Sequence, residues 1–422
     1  MTSCDSPAFS TGLLPLEEAR SILAQRAKQF GQLVEVERIA LPVALNRVLS
    51  EDIIANINVP NFNNSAMDGY AVRLADCQQC LINDGEIIMS VSQRITAGDA
   101  PSSLVEKTCA RIFTGAAVPN HADAVVMQEQ CEVLANGRVR FAIDLESVKA
   151  QQNIRPEGQD LKKGQLVLKA GRILRAEDLG VLASIGLNKI NVFKRLKVAV
   201  ILSGDELIEP GKPLNAGQIY NTNSFTLIGL LQRMGMEVVG PFFAADTLKD
   251  TQAILTQAST EADVIITSGG VSVGEEDHIK AAISSGGEID MWRLAIKPGK
   301  PFALGQFSQV PVLGLPGNPA AVVVTFYQLV RNFLWSVQGA EAQPLLRLKG
   351  KAAFSTRKAI MRTEFLRARF NQGAVEVFSN QSSGVLSSTS WSDGFACVPA
   401  GEIIHEGDEI EFHCLTTAHG HG

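Results

Sequence analysis

Apolar and polar positions alternate in three different textures along the chain. LPLEEARSILAQRAKQF repeats apolar residues at helical spacing behind an acidic start, which predicts a helix over Leu14–Phe30. VALNRVLSEDIIANINVP reads as a short helix passing into an extended segment that stops at Pro60. From about residue 85 to 165, strand-like pieces alternate with turns: EIIMSVSQRI, CARIFTG, AVVMQEQCEVL and GRVRFAI. That texture predicts an all-β module. LKKGQLVLKAGRILRAEDLGVLASIG then gives two β-like pieces and a helix with Gly186 near its end.

From Leu196 the texture becomes α/β. KVAVILSGDEL, MEVVGPFFAAD, ADVIITSGG, MWRLAIKPG and VPVLGLPG read as strands, and Ser224–Met234, Leu248–Ser259, HIKAAISS and Pro319–Val337 as helices. This alternation predicts a parallel, doubly wound sheet, in which ligands sit at the carboxyl ends of the strands. After about residue 344, LLRLKGKAAF, TEFLRARF, AVEVFS, FACVPA and EIEFHC predict a small terminal barrel or sandwich. The fold class is multidomain α/β plus β.

Composition narrows the function classes. At 422 residues the chain is too long for one ordinary core. Its 45% hydrophobic and 19% charged content is that of a soluble globular protein. A net charge of −6 offers no global field for nucleic acid, so an anionic ligand must be held by local Lys, Arg or amide groups. No apolar run nears the ~20 residues of a membrane helix, and the N-terminus lacks the pattern of a secretory leader. We therefore expect a cytoplasmic protein with neither membrane nor nucleic-acid partners. The seven cysteines (4, 77, 80, 109, 131, 397 and 414) are too scattered for a disulfide framework. Cys77 and Cys80 have CxxC spacing but lack the further ligands of a zinc site. His419 and His421 read as a surface tail.

The α/β region carries special residues at four strand ends. They are SGDEL (Ser203–Leu207), Asp246, the turn TSGGVSVGEED with Gly269, Gly270, Gly274, Glu275, Glu276 and Asp277, and LPGNPAA (Leu315–Ala321). AIKPGKP, with Lys297 and Lys300, comes between the last two. Each has a plain structural reading. LPGNP starts a helix, with Asn318 as N-cap and Pro319 in the first turn, leaving N–H groups for an anion. Asp246 caps the next helix, and KPGKP is a solvated turn. Four such loops on one sheet edge favour a site. A glycine turn beside carboxylates is reconciled by a divalent cation: Mg²⁺ takes one or two carboxylates plus phosphate oxygens. The ligand suggested is a phosphorylated or nucleotide-bearing compound bound with Mg²⁺. Neither GxxxxGK[ST] nor GxGxxG is present. Further polar loops occur upstream: Asp68-Gly69, readable as a hairpin turn, Thr114-Gly115, and NIRPEGQDLKKG with Arg155, Asp160 and Lys163.

SAMDGYA, RIFTGA, NIR-x-x-G-x-D, SGDEL, GQIYNTN, TSGGVSVGEEDH, AIKPGKP and LPGNP occur in that order. Together they resemble the MoeA family, molybdopterin molybdenumtransferases that include the gephyrin E domain. The resemblance spans about residues 14–415. It implies an elongated domain (1–56 with 165–195), a β module (57–164), a MogA-like α/β domain (196–343) and a C-terminal β-barrel (344–422). It also implies a reaction: adenylated molybdopterin and molybdate are converted with Mg²⁺, AMP leaves, and the metal enters the dithiolene. By the same resemblance Asp277, Glu206 and Asp246 are catalytic and Mg²⁺-ligating, and Lys297 and Lys300 hold phosphate or molybdate. Ser203, Gly204, Gly269, Gly270, Ser272, Arg293, Pro316, Gly317, Asn318 and Pro319 bind substrate, and Arg362 and Ser383 lie near molybdate. Asp68, Thr114, Arg155 and Asp160 match positions that reach the site across a homodimer. Arg293 stands where the family commonly has lysine, and Gly384 where it often has a polar residue. A molybdopterin adenylyltransferase is the expected functional partner. Alternative readings are such an adenylyltransferase itself, a non-catalytic molybdopterin-binding scaffold, and a nucleotide pyrophosphatase with a related α/β domain.

Overall fold

The structure, a computed structural model, describes residues 12–31, 34–270, 278–341 and 343–415. The chain divides into two compact units: Met1–Glu51 with Ala170–Ala176 and Lys189–Gly422, and Asp52–Lys169 with Glu177–Asn188.

In the first unit a six-stranded sheet runs, edge to edge, Glu237–Ala244, Lys197–Ser203, Val264–Ser268, Val310–Leu315, Pro301–Phe307, Gly287–Arg293. The run VAVIL explains why this sheet is covered on both faces. Val198, Val200 and Leu202 join one core with Leu227, Leu231 and Phe326. Ala199 and Ile201 face the other way, with Leu255, Ile279 and Ile283. A strand buried on both faces reads as an unbroken apolar run. The helix Leu16–Phe30 adds Ala19, Leu23 and Ala27, four residues apart, to the first core. The stretch Pro319–Val337 is 89% buried and is a core helix; its middle, Phe326–Val330, widens into a π-helical turn.

The sheet corrects one expectation. Its first four strands are parallel, but Pro301–Phe307 runs antiparallel to both its neighbours, Val310–Leu315 and Gly287–Arg293. Ser308 (φ 48°) and Gln309 (φ 71°) form the two-residue connection from Pro301–Phe307 to Val310–Leu315. Both carry the positive φ of a type I′ hairpin without the Asn-Gly that usually announces one. A second expectation also fails. VALNRVL forms no α-helix, only a 3₁₀ turn at Leu41–Val43. Its backbone bonds go elsewhere: Asn46 N donates to Leu174 O at 2.9 Å and Leu49 N to Arg172 O at 2.9 Å. Long-range pairing outweighs local propensity there.

The five C-terminal strands are Leu346–Ala352, Thr363–Asn371, Ala374–Val377, Gly394–Val398 and Glu409–Cys414, and they close into a barrel because Thr363–Asn371 also pairs with Gly394–Val398. Ala352, Leu366, Val375, Val398, Ile410 and Phe412 fill it. The short strand Ile296–Lys297 pairs in parallel with Thr363 and Glu364, which fixes the barrel to the KPGKP loop.

The second unit holds a six-stranded sheet in the order Ala124–Met127, Gly69–Val72, Thr108–Ile112, Ile88–Ile95, Val139–Phe141, Cys131–Val133. It is not all β, since Leu74–Asp84 is a helix that buries Cys77 completely. Asp68-Gly69 is no hairpin turn: Gly69 opens a strand.

Candidate functional site

The strand ends open, with the barrel rim, onto one cleft of about 1350 Å³ in the first unit. Ser203, Glu206, Gly269, Lys297, Lys300, Pro316, Gly317, Asn318, Pro319, Arg362 and Ser383 all line it. Among the described lining residues are five cations (Lys297, Lys300, Arg357, Lys358, Arg362) against two carboxylates (Glu206, Glu364). The chain is net negative, yet this cleft is locally positive and suited to an anion.

Local bonds tie the loops together. Ser268 Oγ donates to Pro316 O at 3.2 Å, and Gly269 N to Leu315 O at 3.2 Å. Gly269 sits at φ +93°, and a Cβ there would come within 2.8 Å of Ser203 O, so only glycine fits between the two strand ends. Asn223, from the GQIYNTN motif, donates its amide to Ser268 Oγ at 3.0 Å and to Gly317 O at 2.7 Å. It was not among the predicted site residues, although its motif was. Gly299 (φ +105°) turns the KPGKP loop over Thr325, whose Oγ1 a Cβ would meet at 2.6 Å. Lys297 Nζ pairs with Glu364 at 2.9 Å. Glu364 thus aims a predicted lysine and was itself missed. Arg362 Nη1 reaches Ile296 O at 3.5 Å.

Two readings of the loops change. Asn318 occupies the N-cap position, but its side chain makes no cap bond, and the N–H of Ala320 is taken by Ser383 O at 3.0 Å. That N–H therefore holds the barrel loop rather than an anion. Asp246 caps nothing, because Thr247 accepts from Asp250 N instead. Asp246 accepts from Ser203 Oγ at 2.9 Å and exchanges bonds with Asp205: Asp205 N to Asp246 Oδ2 at 3.4 Å, Asp246 N to Asp205 Oδ1 at 3.2 Å. Glu206 lines the cleft, whereas Asp205 and Asp246 are not among its lining residues, and among the described residues these three carboxylates, at neighbouring strand ends, do not form a convergent group of ligand atoms. Gly204 (φ +144°) and Gly270 (φ +65°) flank these ends. Arg293 is exposed at the end of its strand and is not among the cleft's lining residues. Ser272 and Asp277 lie outside the described residues.

In the second unit, Asp68 accepts from Thr114 N and Oγ1, both at 2.8 Å. These two bonds hold its carboxyl below the usual range. Arg155 pairs with Asn64 across a short antiparallel ladder. Asp160 N donates to Val59 O at 2.9 Å, and both Arg155 and Asp160 are exposed.

Among the described residues, one cluster outside the cleft has metal-ligand chemistry. Cys397, Glu411 and His413 have ligand atoms within 4.8 Å of one another. Two of the three are already bonded: His413 Nε2 meets Glu411 Oε1 at 2.6 Å, and its Nδ1 meets Gln328 Nε2 at 3.3 Å. Arg347 lies 3.5 Å from the same Glu411 oxygen, and burial pushes the Cys397 thiol up to about 11. This is a hydrogen-bonded barrel network. Cys77 is likewise a core thiol, pushed up by burial to about 12.

The fold and cleft define a class: a doubly wound α/β domain joined to a closed barrel around a locally positive cleft, with a separate sheet module. Residues 14–186 match the MoeA N-terminal region (domain I and II), 199–335 a probable molybdopterin binding domain, and 349–415 the MoeA C-terminal region (domain IV). The chain is 42% identical over 372 residues to the molybdopterin molybdenumtransferase of Haemophilus influenzae, covering 87% of this chain and 89% of that protein. It is 37% identical over 308 residues to molybdopterin molybdenumtransferase 2 of Mycobacterium tuberculosis, covering 71% and 75%. The structure of a molybdopterin biosynthesis MoeA protein from Pyrococcus horikoshii matches with a TM-score of 0.79 at 30% identity, covering 96% of this chain and 100% of that one. The chain belongs to the MoeA family.

Proposed function

We propose that the protein is a molybdopterin molybdenumtransferase of molybdenum cofactor assembly, which inserts molybdate into adenylated molybdopterin and releases AMP. One observation carries this reading: Lys297, Lys300, Arg362 and Ser383 line the same cleft as the SGDEL, SGG and LPGNP strand ends. A phosphoanhydride and an oxyanion both need dense positive charge beside a shape-fitting pocket.

Catalysis on this reading is mainly electrostatic. The strand-end loops orient the adenylate. Lys297, held by Glu364 at 2.9 Å, and Lys300 neutralise charge on the phosphate oxygens as the phosphoanhydride bond breaks. Arg362 and Ser383 hold molybdate, whose oxygen attacks the adenylate phosphorus or activates the group that does. The molybdopterin phosphate leaves with the bonding pair. AMP is freed directly where water is the attacking group, or by hydrolysis of the adenylyl–molybdate anhydride where molybdate is. The two dithiolene thiols replace one molybdate oxygen, which departs with their protons as water. Asp277, Glu206 and Asp246 would hold Mg²⁺, which when bound would supply Lewis-acid polarisation of the phosphate. The reading includes a homodimer in which Asp68, Thr114, Arg155 and Asp160 of a second copy complete the site.

The test incubates the protein with adenylated molybdopterin, with and without molybdate and Mg²⁺. AMP release and reactivation of a cofactor-free molybdenum enzyme are measured. Molybdate-dependent AMP release with a reactivating product supports the transferase. Tight adenylate binding without either outcome points to a scaffold, and ATP-dependent adenylation to an adenylyltransferase.

A further inference from the structure

The first unit holds another cavity, of about 50 Å³, that shares no lining residue with the cleft. Sequence spacing builds it largely from two helix faces. Leu230, Arg233 and Met234 stand three and four positions apart at the end of the helix Asn223–Arg233. Tyr327, Arg331 and Trp335 stand four apart along Pro319–Val337. Tyr327 belongs to the π-helical turn Phe326–Val330, and Arg331 directly follows it. Such a turn inside an α-helix is frequently found at a functional site.

Among its described lining residues the cavity has two guanidinium groups and no carboxylate. Arg233 is exposed, whereas Arg331 is only 7% exposed. Arg331 Nη1 donates to Gln343 O and, at 3.3 Å, to Asn332 Oδ1, both neutral acceptors. Its Nε and Nη2 make no hydrogen bond to the described residues, and neither is sealed against solvent. Burial lowers the Arg331 pKa; Tyr327 opposes, Arg233 adds to the lowering, and no carboxylate is among the charges acting on it. Burial raises the Tyr327 phenol, against the pull of the same two arginines. A buried cation with only neutral acceptors is costly, and a like charge beside it adds to the cost. An anion in the cavity would offset both.

We propose that this cavity is a ligand site apart from the cleft, taking a small aliphatic monocarboxylate between Arg331 and Arg233. The planar guanidinium fork matches the two oxygens of a carboxylate, and Tyr327 adds a hydroxyl donor. Leu230, Met234, Phe326 and Trp335 make much of the remaining wall apolar, which suits a short hydrocarbon tail better than a hydrated phosphate. A volume of about 50 Å³ holds roughly three to five water-sized groups, the bulk of acetate to butyrate. Occupancy of this site does not depend on the chemistry of the cleft.

The experiment titrates the full chain with sodium butyrate at constant ionic strength, with butyramide as the neutral isostere and inorganic phosphate as the alternative anion. Binding is read by NMR from the indole N–H of Trp335 and the backbone amides of 326–335. Wild type is compared with Arg233→Gln, which removes an exposed charge and leaves the core packing in place, and with Arg331→Lys, which keeps the charge but loses the fork. A carboxylate of this size should bind with a Kd on the order of 1–10 mM. Butyrate should give saturable shifts centred on Trp335 and 326–335, and butyramide none. The Kd should rise about tenfold in Arg233→Gln and further in Arg331→Lys. Shifts centred instead on 297–300 and 316–319 would place the ligand in the cleft and overturn the proposal. It is equally overturned by equal shifts from butyramide, by a Kd that neither variant changes, or by no saturable shift at about ten times the expected Kd. Phosphate binding there as tightly as butyrate would overturn the carboxylate class. Should Arg331→Lys not fold, Arg233→Gln decides alone.

Discussion

At the scale of single residues, the site depends on side chains that join loops distant in sequence. Asn223 bridges Ser268 and Gly317, the latter 94 positions away, with two bonds from one amide. Each such bond contributes about 1 kcal/mol net. Asn223→Ala should therefore lower thermal stability by a few degrees while AMP release falls at least about tenfold. An equal loss in stability with full activity would show that loop registration is not what Asn223 provides. His413 gives a pH prediction. Gln328 Oε1 is held by Arg20, so the amide presents its N–H to His413 Nδ1 and leaves Nε2–H to donate to Glu411. Burial lowers the imidazole pKa; Glu411 opposes, and Arg347 and Arg20 reinforce the lowering. In the unfolded chain the ring takes up a proton near pH 6.5, whereas in the folded chain it does so only at lower pH. Its contribution is thus intact above about pH 6.5 and shrinks as pH falls from there towards the folded value. Wild type should lose more thermal stability between pH 7.5 and 5.5 than His413→Gln does. Parallel losses in the two proteins would show that His413 does not titrate this way.

At the scale of elements, the KPGKP loop tests how far glycine geometry sets the site. Gly299 sits at φ +105° against Thr325. Gly299→Ala adds backbone strain of roughly 1–3 kcal/mol and pushes Lys297 and Lys300 off their line. Activity should drop far more than the melting temperature, and a fully active Gly299→Ala protein would mean that the loop adapts. Elements were legible where local pattern and tertiary demand agree. VAVIL, VIIT and the five barrel strands announce themselves because burial on one or both faces fixes their apolar period. The antiparallel end of the sheet did not, since Ser308-Gln309 turns without glycine or asparagine. The helix Leu74–Asp84 did not either: it buries only Asp76 and Cys77, leaving no apolar stripe to read. The glycine and proline loops showed where the cleft would be. Asp205, Asn223 and Glu364 stayed invisible because long-range hydrogen bonds, pairings and charge contacts give them their roles.

At the scale of the whole molecule, the proposed homodimer makes a quantitative demand. Lys300 lies in the first unit's cleft, and Asp68 lies in the second unit beside Thr114. Suppose the first unit of one copy works with the second unit of its partner. Lys300→Ala and Asp68→Ala should each be inactive alone, since every site then contains the defect. In a mixed dimer, one site collects both defects and the other collects none. Random exchange yields half mixed dimers, each with one intact site of two, so about a quarter of wild-type AMP release should return on mixing. If each site instead used both units of the same copy, every site in the mixed dimer would keep one defect and mixing would restore nothing. The return of activity should follow the kinetics of subunit exchange, which size-exclusion of differently tagged copies can time independently. Activity that appears before exchange would point to contamination rather than complementation, and its absence after complete exchange would remove the second copy from the site.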